Sequence, residues 1–295
     1  MNLRAHQIMS RATLGWVLYT IAALGVFLAL TFPYAQMQAR LLDEMARGSG
    51  LEVRADRWEP VWPLGIAWSD VSATAPGLPR FGADRLSVHT EIWSLVQGPA
   101  ILHGQVRSPG RQGAGGLITG RLTLDRWSPQ GAGRVTGSVE QLNLSALSLP
   151  VIKQGTLRGT FDQRWTQLAS PSEFLRGQGD WQAEVSGLDL EQVPIGPLTL
   201  PSVTFTNLKA RLQCQAGTCR IEGLRGDGPD GTVSGEGVLT VREPFSDSRL
   251  ILSLALTVAE EYKRRVPVAA LIQGPPGAPV KVTLTGPLTR LQATL

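Results

Sequence analysis

The chain of 295 residues carries 28 Lys and Arg against 24 Asp and Glu, is 42% hydrophobic and 18% charged, and holds 33 Gly and 20 Pro. Such a length suits one large domain or two small ones, and an ordinary apolar content with low charge excludes a disordered chain, a collagen and a polytopic membrane protein. The basic balance does not define a nucleic-acid binder, because without Arg4 and Arg11 the chain holds 26 cations against 24 acids and no basic domain remains.

No charge occurs between Arg11 and Arg40. The core of this run, Leu14 to Phe32, is about 19 residues long, enough to cross a ~30 Å hydrocarbon layer as a helix. A cleaved signal peptide is the competing reading, but it wants a shorter apolar core and a small-x-small cleavage site. Here Phe32-Pro33-Tyr34 follows instead, and its aromatics suit a membrane interface. The sequence therefore predicts a transmembrane helix at residues 14–34. Arg4 and Arg11 precede it, so the positive-inside rule leaves residues 1–13 cytoplasmic and sends the rest across the membrane.

Residues 35–47 are predicted to form a short amphipathic helix. Met37, Leu41, Leu42 and Met45 recur at helical spacing, and Gly48-Ser49-Gly50 ends it. Capping the following domain, lying on the membrane surface and packing on a partner helix all remain open for it.

Residues 48–295 read as a β-rich domain. Trp58, Trp62 and Trp68 form the densest aromatic stretch, suited either to partner contact or to covering one end of a sheet. Ile118, Gly120, Leu122 and Leu124 alternate with Thr119, Arg121, Thr123 and Asp125. Leu157, Gly159, Phe161 and Trp165 alternate likewise with polar neighbours, and the period returns at Trp181–Val185, Val233–Val241, Leu250–Val258 and Val280–Leu284. Period two with turn residues between runs predicts half-buried antiparallel strands. The expected fold is mainly β: an elongated, curved antiparallel sheet of many short strands, with one or two short helices. Leu250, Leu252, Leu254 and Leu256 would line its apolar face, which helices, folding over or a ligand must cover. Val139 to Leu147 and Val185 to Val193 share V-x-x-L-x-L-x-x-[LV], 46 residues apart, as a repeated strand unit or a strand followed by a bulge would.

The only cysteines are Cys214 and Cys219. A chain reversal at Ala216-Gly217 would set Cys214 opposite Cys219 and Leu212 opposite Ile221, which favours a structural disulfide in an oxidising compartment. The C-x4-C spacing without nearby His fits neither a redox motif nor a four-ligand zinc site.

Catalytic, cofactor and metal motifs are missing from the sequence. His6, His89 and His103 have no partner at recognisable spacing, and neither a G-x-S-x-G elbow nor a phosphate loop occurs. Gly226 to Gly231 matches G-x-G-x-x-G, but a strand from Thr232 follows where a dinucleotide site needs a helix. Asp227 and Asp230 lack the rest of a calcium loop, so a tight turn is expected there.

The anchor with Phe32-Pro33-Tyr34, the amphipathic helix and Gly50 to Val71 (GLEVRADRWEPVWPLGIAWSDV) resemble the opening of a type II secretion system protein N, and Leu224 to Val241 and Pro279 to Pro287 are similar to that family's C-terminal half. The resemblance implies a non-enzymatic inner-membrane accessory with the bulk of the chain in the periplasm, whose partners are other secretion subunits of the inner-membrane platform or the outer-membrane channel. It carries no catalytic residue, cofactor, metal or nucleic acid, and the Cys214/Cys219 pair departs from the family's pattern. A second, local resemblance, at Leu86 to Gly98 and Ile101 to Arg107, is to the strand, short helix, strand element of AsmA-like envelope proteins. It implies an apolar-lined sheet that handles phospholipid.

Overall fold

In the computed structural model the described residues are 19–20, 23, 52–62, 64–74, 81–91, 94, 99–109, 115–125, 131–147, 151–167, 171–195, 198–242, 247–271, 279–287 and 290–294. The chain divides into two units, Met1–Glu44 and Met45–Leu295. The predicted cytoplasmic segment and amphipathic helix lie outside the described residues, as does the predicted transmembrane helix except for Tyr19, Thr20 and Ala23. Among the described residues no helix is long and apolar enough to cross a membrane.

The second unit is one antiparallel sheet of fifteen strands. They are β1 (Glu52–Arg54), β2 (Arg57–Val61), β3 (Gly65–Thr74), β4 (Phe81–Thr90), β5 (Ala100–Arg107), β6 (Leu117–Leu124), β7 (Gly133–Asn143) and β8 (Ile152–Trp165). There follow β9 (Gln178–Ile195), β10 (Leu198–Gln215), β11 (Thr218–Gly228), β12 (Gly231–Thr240), β13 (Arg249–Val258), β14 (Val280–Pro287) and β15 (Gln292–Thr294). From β3 onward each strand pairs with the next, and β1 and β2 pair in turn with β3. Among the described residues, short helices α1 (Pro171–Arg176) and α2 (Glu260–Arg265) and 3-10 turns at Leu144–Leu147 and Pro267–Leu271 interrupt the meander.

The strands are not uniformly short. β8 has 14 residues and β9 and β10 have 18 each. Pro194 and Pro201 argue against strand in the sequence, since proline removes a ladder donor. Beyond Leu190, however, β9 has lost its β8 neighbour, and before Asn207 β10 has no β11 neighbour. The prolines therefore fall in a two-stranded extension with one open edge on each strand, where a missing N–H is tolerated.

Register gives the sheet two unlike faces. Val88, Gly104, Gly120, Gly137, Phe161, Trp181, Leu212 and Ile221 succeed one another as cross-strand partners. One residue along, on the opposite face, run Arg121, Thr136, Asp162, Asp180, Gln213 and Arg220. Bulges keep this division intact along the long strands. Gln141, Gly187 and Gly223 have φ of 52°, 59° and 61°. Each is the third residue of an apolar-x-x-apolar quartet: Val139 to Leu142, Val185 to Leu188 and Ile221 to Leu224. Register shifts between Val139 and Leu142, between Ile221 and Leu224, and between Gln154 and Thr156 of β8, which face Asp189 and Ser186 of β9. One extra residue lets apolar side chains three apart share a face. The two segments 46 residues apart thus share one local geometry.

Chain covers the apolar face at two places. Phe174 of α1 packs with Trp165, Leu124 and Val135, and Leu175 with the cluster of Cys214, Cys219 and Val241. Gln163, fully buried on this face, donates to the Phe174 carbonyl and accepts from Trp181 Nε1 at 3.0 Å, tying α1 to the sheet. The largest cluster joins Leu188, Leu200, Val203, Phe205 and Val282 to Tyr262 of α2 and Ala269 of the following turn.

That cover also completes the open edge of β10. The Thr204 N–H, which no β11 residue meets, donates to Asp230 Oδ2 at 2.7 Å, and Tyr262 Oη donates to the Ser202 carbonyl. Arg265 donates to the other Asp230 oxygen, with its guanidinium 5.4 Å from the Tyr262 ring centre. Burial, and then the Asp230 carboxylate, push the Tyr262 hydroxyl above its usual range, so it stays protonated and donates.

Candidate functional site

The polar face carries the most extended set of convergent side chains. On β8 and β9, Asp162 and Asp180 are direct cross-strand partners, an arrangement that would be repulsive by itself. An arginine on each outer strand resolves it. Arg134 of β7 grips Asp162 with Nε to Oδ1 at 2.8 Å and Nη2 to Oδ2, and Arg211 of β10 grips Asp180 with Nε to Oδ1 at 3.0 Å and Nη2 to Oδ2. These are planar two-point contacts of the kind only arginine supplies. Hydrogen bonding from Arg134 and Arg211 holds the Asp162 and Asp180 carboxyls below the usual carboxylate range, and the carboxylates in turn raise both guanidiniums. Lys209 does the same for Glu184 at 3.2 Å.

Two neighbouring grooves open along this row. One, of about 860 Å³, is lined by Asp162, Arg164, Asp180, Gln213, Arg220 and Glu222. The other, of about 900 Å³, is lined by Glu140, Arg158, Glu184, Lys209, Arg211 and Glu222. Cations and carboxylates alternate along their walls, so the surface suits a partner with mixed charge better than a polyanion. The ion pairs are 39% to 59% exposed, which limits their worth to stability and leaves them open to exchange with a partner's charges.

The residues singled out from sequence do not form one site. Trp68 is 5% exposed within a cluster with Val71 and Ala83, and Trp58, its cross-strand partner, packs against it. Trp62, by contrast, is 86% exposed. A continuous surface spanning all three tryptophans is therefore not formed: pairing of β2 with β3 turns two of them inward. Leu254 and Leu256 pack on the cluster that contains Tyr262 and Ala269, so protein already meets them. Leu252 pairs with Gly237 and Leu284, and Leu250 with Leu239 and Gly286. Cys214 and Cys219 are joined by a disulfide across the β10–β11 hairpin, with Leu212 opposite Ile221, and Ala216 and Gly217 turn the chain with φ of 49° and 81°.

One cluster escapes sequence reasoning altogether. Register sets His89 beside His103 and His103 beside Arg121. The imidazoles stack at 5.1 Å, His103 Nε2 is 2.9 Å from Glu91 Oε1, and Arg121 reaches the same oxygen at 3.5 Å. The hydrogen bond with His103 is the main cause that holds the Glu91 carboxyl below its usual range. His103 lies 12 residues from Glu91 and Arg121 lies 30, separations that hide the grouping, and strand pairing creates it. Among the described residues no group of three or more His, Cys, Asp or Glu side chains is disposed to hold a metal ion.

Comparison of the chain with family models, with curated proteins and with solved structures finds no match.

Proposed function

We propose that this chain is a bitopic inner-membrane protein that works by binding and positioning partners in the periplasm, as a non-enzymatic accessory of a type II secretion apparatus. The segment at residues 14–34 anchors it with the N-terminus in the cytoplasm, and the sheet is the working part. The alternating-charge grooves across β7 to β11 carry this reading, since they present a broad polar surface suited to protein partners. The disulfide agrees with an oxidising compartment.

Mass spectrometry of the full-length protein, gently extracted from its own membrane, tests the proposal. Secretion subunits of the inner-membrane platform or outer-membrane channel are expected in stoichiometric ratio, and the ratio should fall with Arg164→Glu and Arg220→Glu in the groove. Absence of such subunits overturns the assignment.

One observation favours a second reading, an AsmA-like phospholipid-binding module. Gly104, Gly120 and Gly137 lie in register on the apolar face, and the half-buried Ile118 and Val139 beside them belong to none of the buried clusters among the described residues. Phospholipid in fixed ratio, without secretion subunits, is its expected signature.

A further inference from the structure

The turn between β2 and β3 carries two large exposed apolar side chains, Trp62 at 86% and Leu64 at 49%. Among the described residues the other exposed large apolar side chains of the sheet, Ile251 and Leu291, are on or beyond β13. From Val61 to Ser69 no residue is charged. The turn is braced: the Thr90 N–H donates to the Leu64 carbonyl at 3.0 Å, and β3 and β4 approach so closely behind it that a Cβ on Gly65 would lie 2.6 Å from the His89 Cβ. The backbone at Leu64 and Gly65 is thus fixed against β4, next to the exposed Trp62.

We propose that Trp62 and Leu64 form a second membrane contact, seating the β2–β3 turn in the headgroup region of the bilayer from which the chain emerges. Two side chains fall far short of the ~800 Å² per partner that a stable protein interface buries. A tryptophan, with an apolar ring and one N–H, is the side chain that settles at headgroup level. Trp62 follows Phe32 by 30 residues, and among the described residues β1 and β2 are the first strands of the sheet in chain order. The length of chain between Phe32 and Trp62 bounds how far the turn lies from the span, a point that rests on the anchor proposed above.

The test uses the full chain reconstituted in phosphatidylcholine and phosphatidylglycerol vesicles, with and without brominated acyl chains. The difference in emission between wild type and Trp62→Phe isolates Trp62 from the other seven tryptophans. It is expected to fall about twofold or more in brominated lipid, as for a ring at the interface. Equal difference spectra in the two lipids overturn the seating. Flotation with the vesicles is scored separately: a chain that fails to float overturns the anchor and this contact together, whereas flotation with Trp62 unquenched overturns the contact alone. In native membranes a photo-crosslinking residue at position 62 is expected to yield lipid adducts, and a stoichiometric protein adduct likewise overturns the proposal.

Discussion

Replacing Asp230 by Ala is expected to loosen the largest core cluster from its edge. The carboxylate is 2% exposed and accepts two charge-assisted hydrogen bonds, from the Thr204 N–H at 2.7 Å and from Arg265. The bond from Thr204 is worth about 1.5 to 3 kcal/mol, the one from the solvent-exposed Arg265 about 1 kcal/mol, and the Thr204 N–H left without a partner adds about 1 to 3 kcal/mol. Water that reaches the vacated space returns part of this, and the expected loss is about 3 to 5 kcal/mol, the range for breaking a buried charge pair. Arg265 behaves differently because its side chain is 64% exposed. Solvent screening limits its share, and Arg265→Ala should cost about 1 kcal/mol. Asp230→Asn keeps an acceptor for Thr204 and should fall between the two. Urea unfolding of the full chain in micelles, followed by tryptophan emission at constant slope, measures all three. The reasoning is refuted if Asp230→Ala costs no more than Arg265→Ala, or if Asn is no better than Ala at position 230.

Three further outcomes are expected. An added Cβ at Gly137 would sit 2.2 Å from the Thr119 carbonyl oxygen and 2.4 Å from the Phe161 ring, whereas at Gly104 it meets nothing within 4 Å. Gly137→Ala should therefore cost about 1 to 3 kcal/mol by overpacking, with Gly104→Ala neutral or stabilising by about 0.5 kcal/mol in the same unfolding assay. Reduction of the Cys214–Cys219 bond, or serine at both positions, opens a short loop and should cost about 2 kcal/mol; an unchanged midpoint would contradict this. Asp162, Asp180 and Glu184 have depressed folded pKa values, so their contribution is fully present above the unfolded carboxylate range and is lost as pH falls from that range through the folded values. Melting temperature should drop over that window, and Asp162→Asn with Asp180→Asn should shrink the drop; equal acid sensitivity in the variant counts against the ion-pair row.

The sheet was legible because period-two alternation is a local property: one buried face imposes it on each strand separately, so runs such as Ile118 to Asp125 announce their own structure. The β10–β11 hairpin was legible for a related reason, with Ala216-Gly217 between residues whose pairing follows from counting outward. The long strands were obscured by Pro194 and Pro201, because an open edge that tolerates proline is defined by where the neighbouring strands stop. Asp230 illustrates the same limit. In sequence it is a turn residue next to glycine, and only the approach of Thr204 and Arg265, 26 and 35 positions away, makes it a buried clasp. The Arg134, Asp162, Asp180, Arg211 row and the His89, His103, Glu91, Arg121 cluster arose likewise. Alternation fixes which face a side chain occupies, but register between strands fixes its neighbours, and register is settled by bulges, turns and packing across the whole sheet.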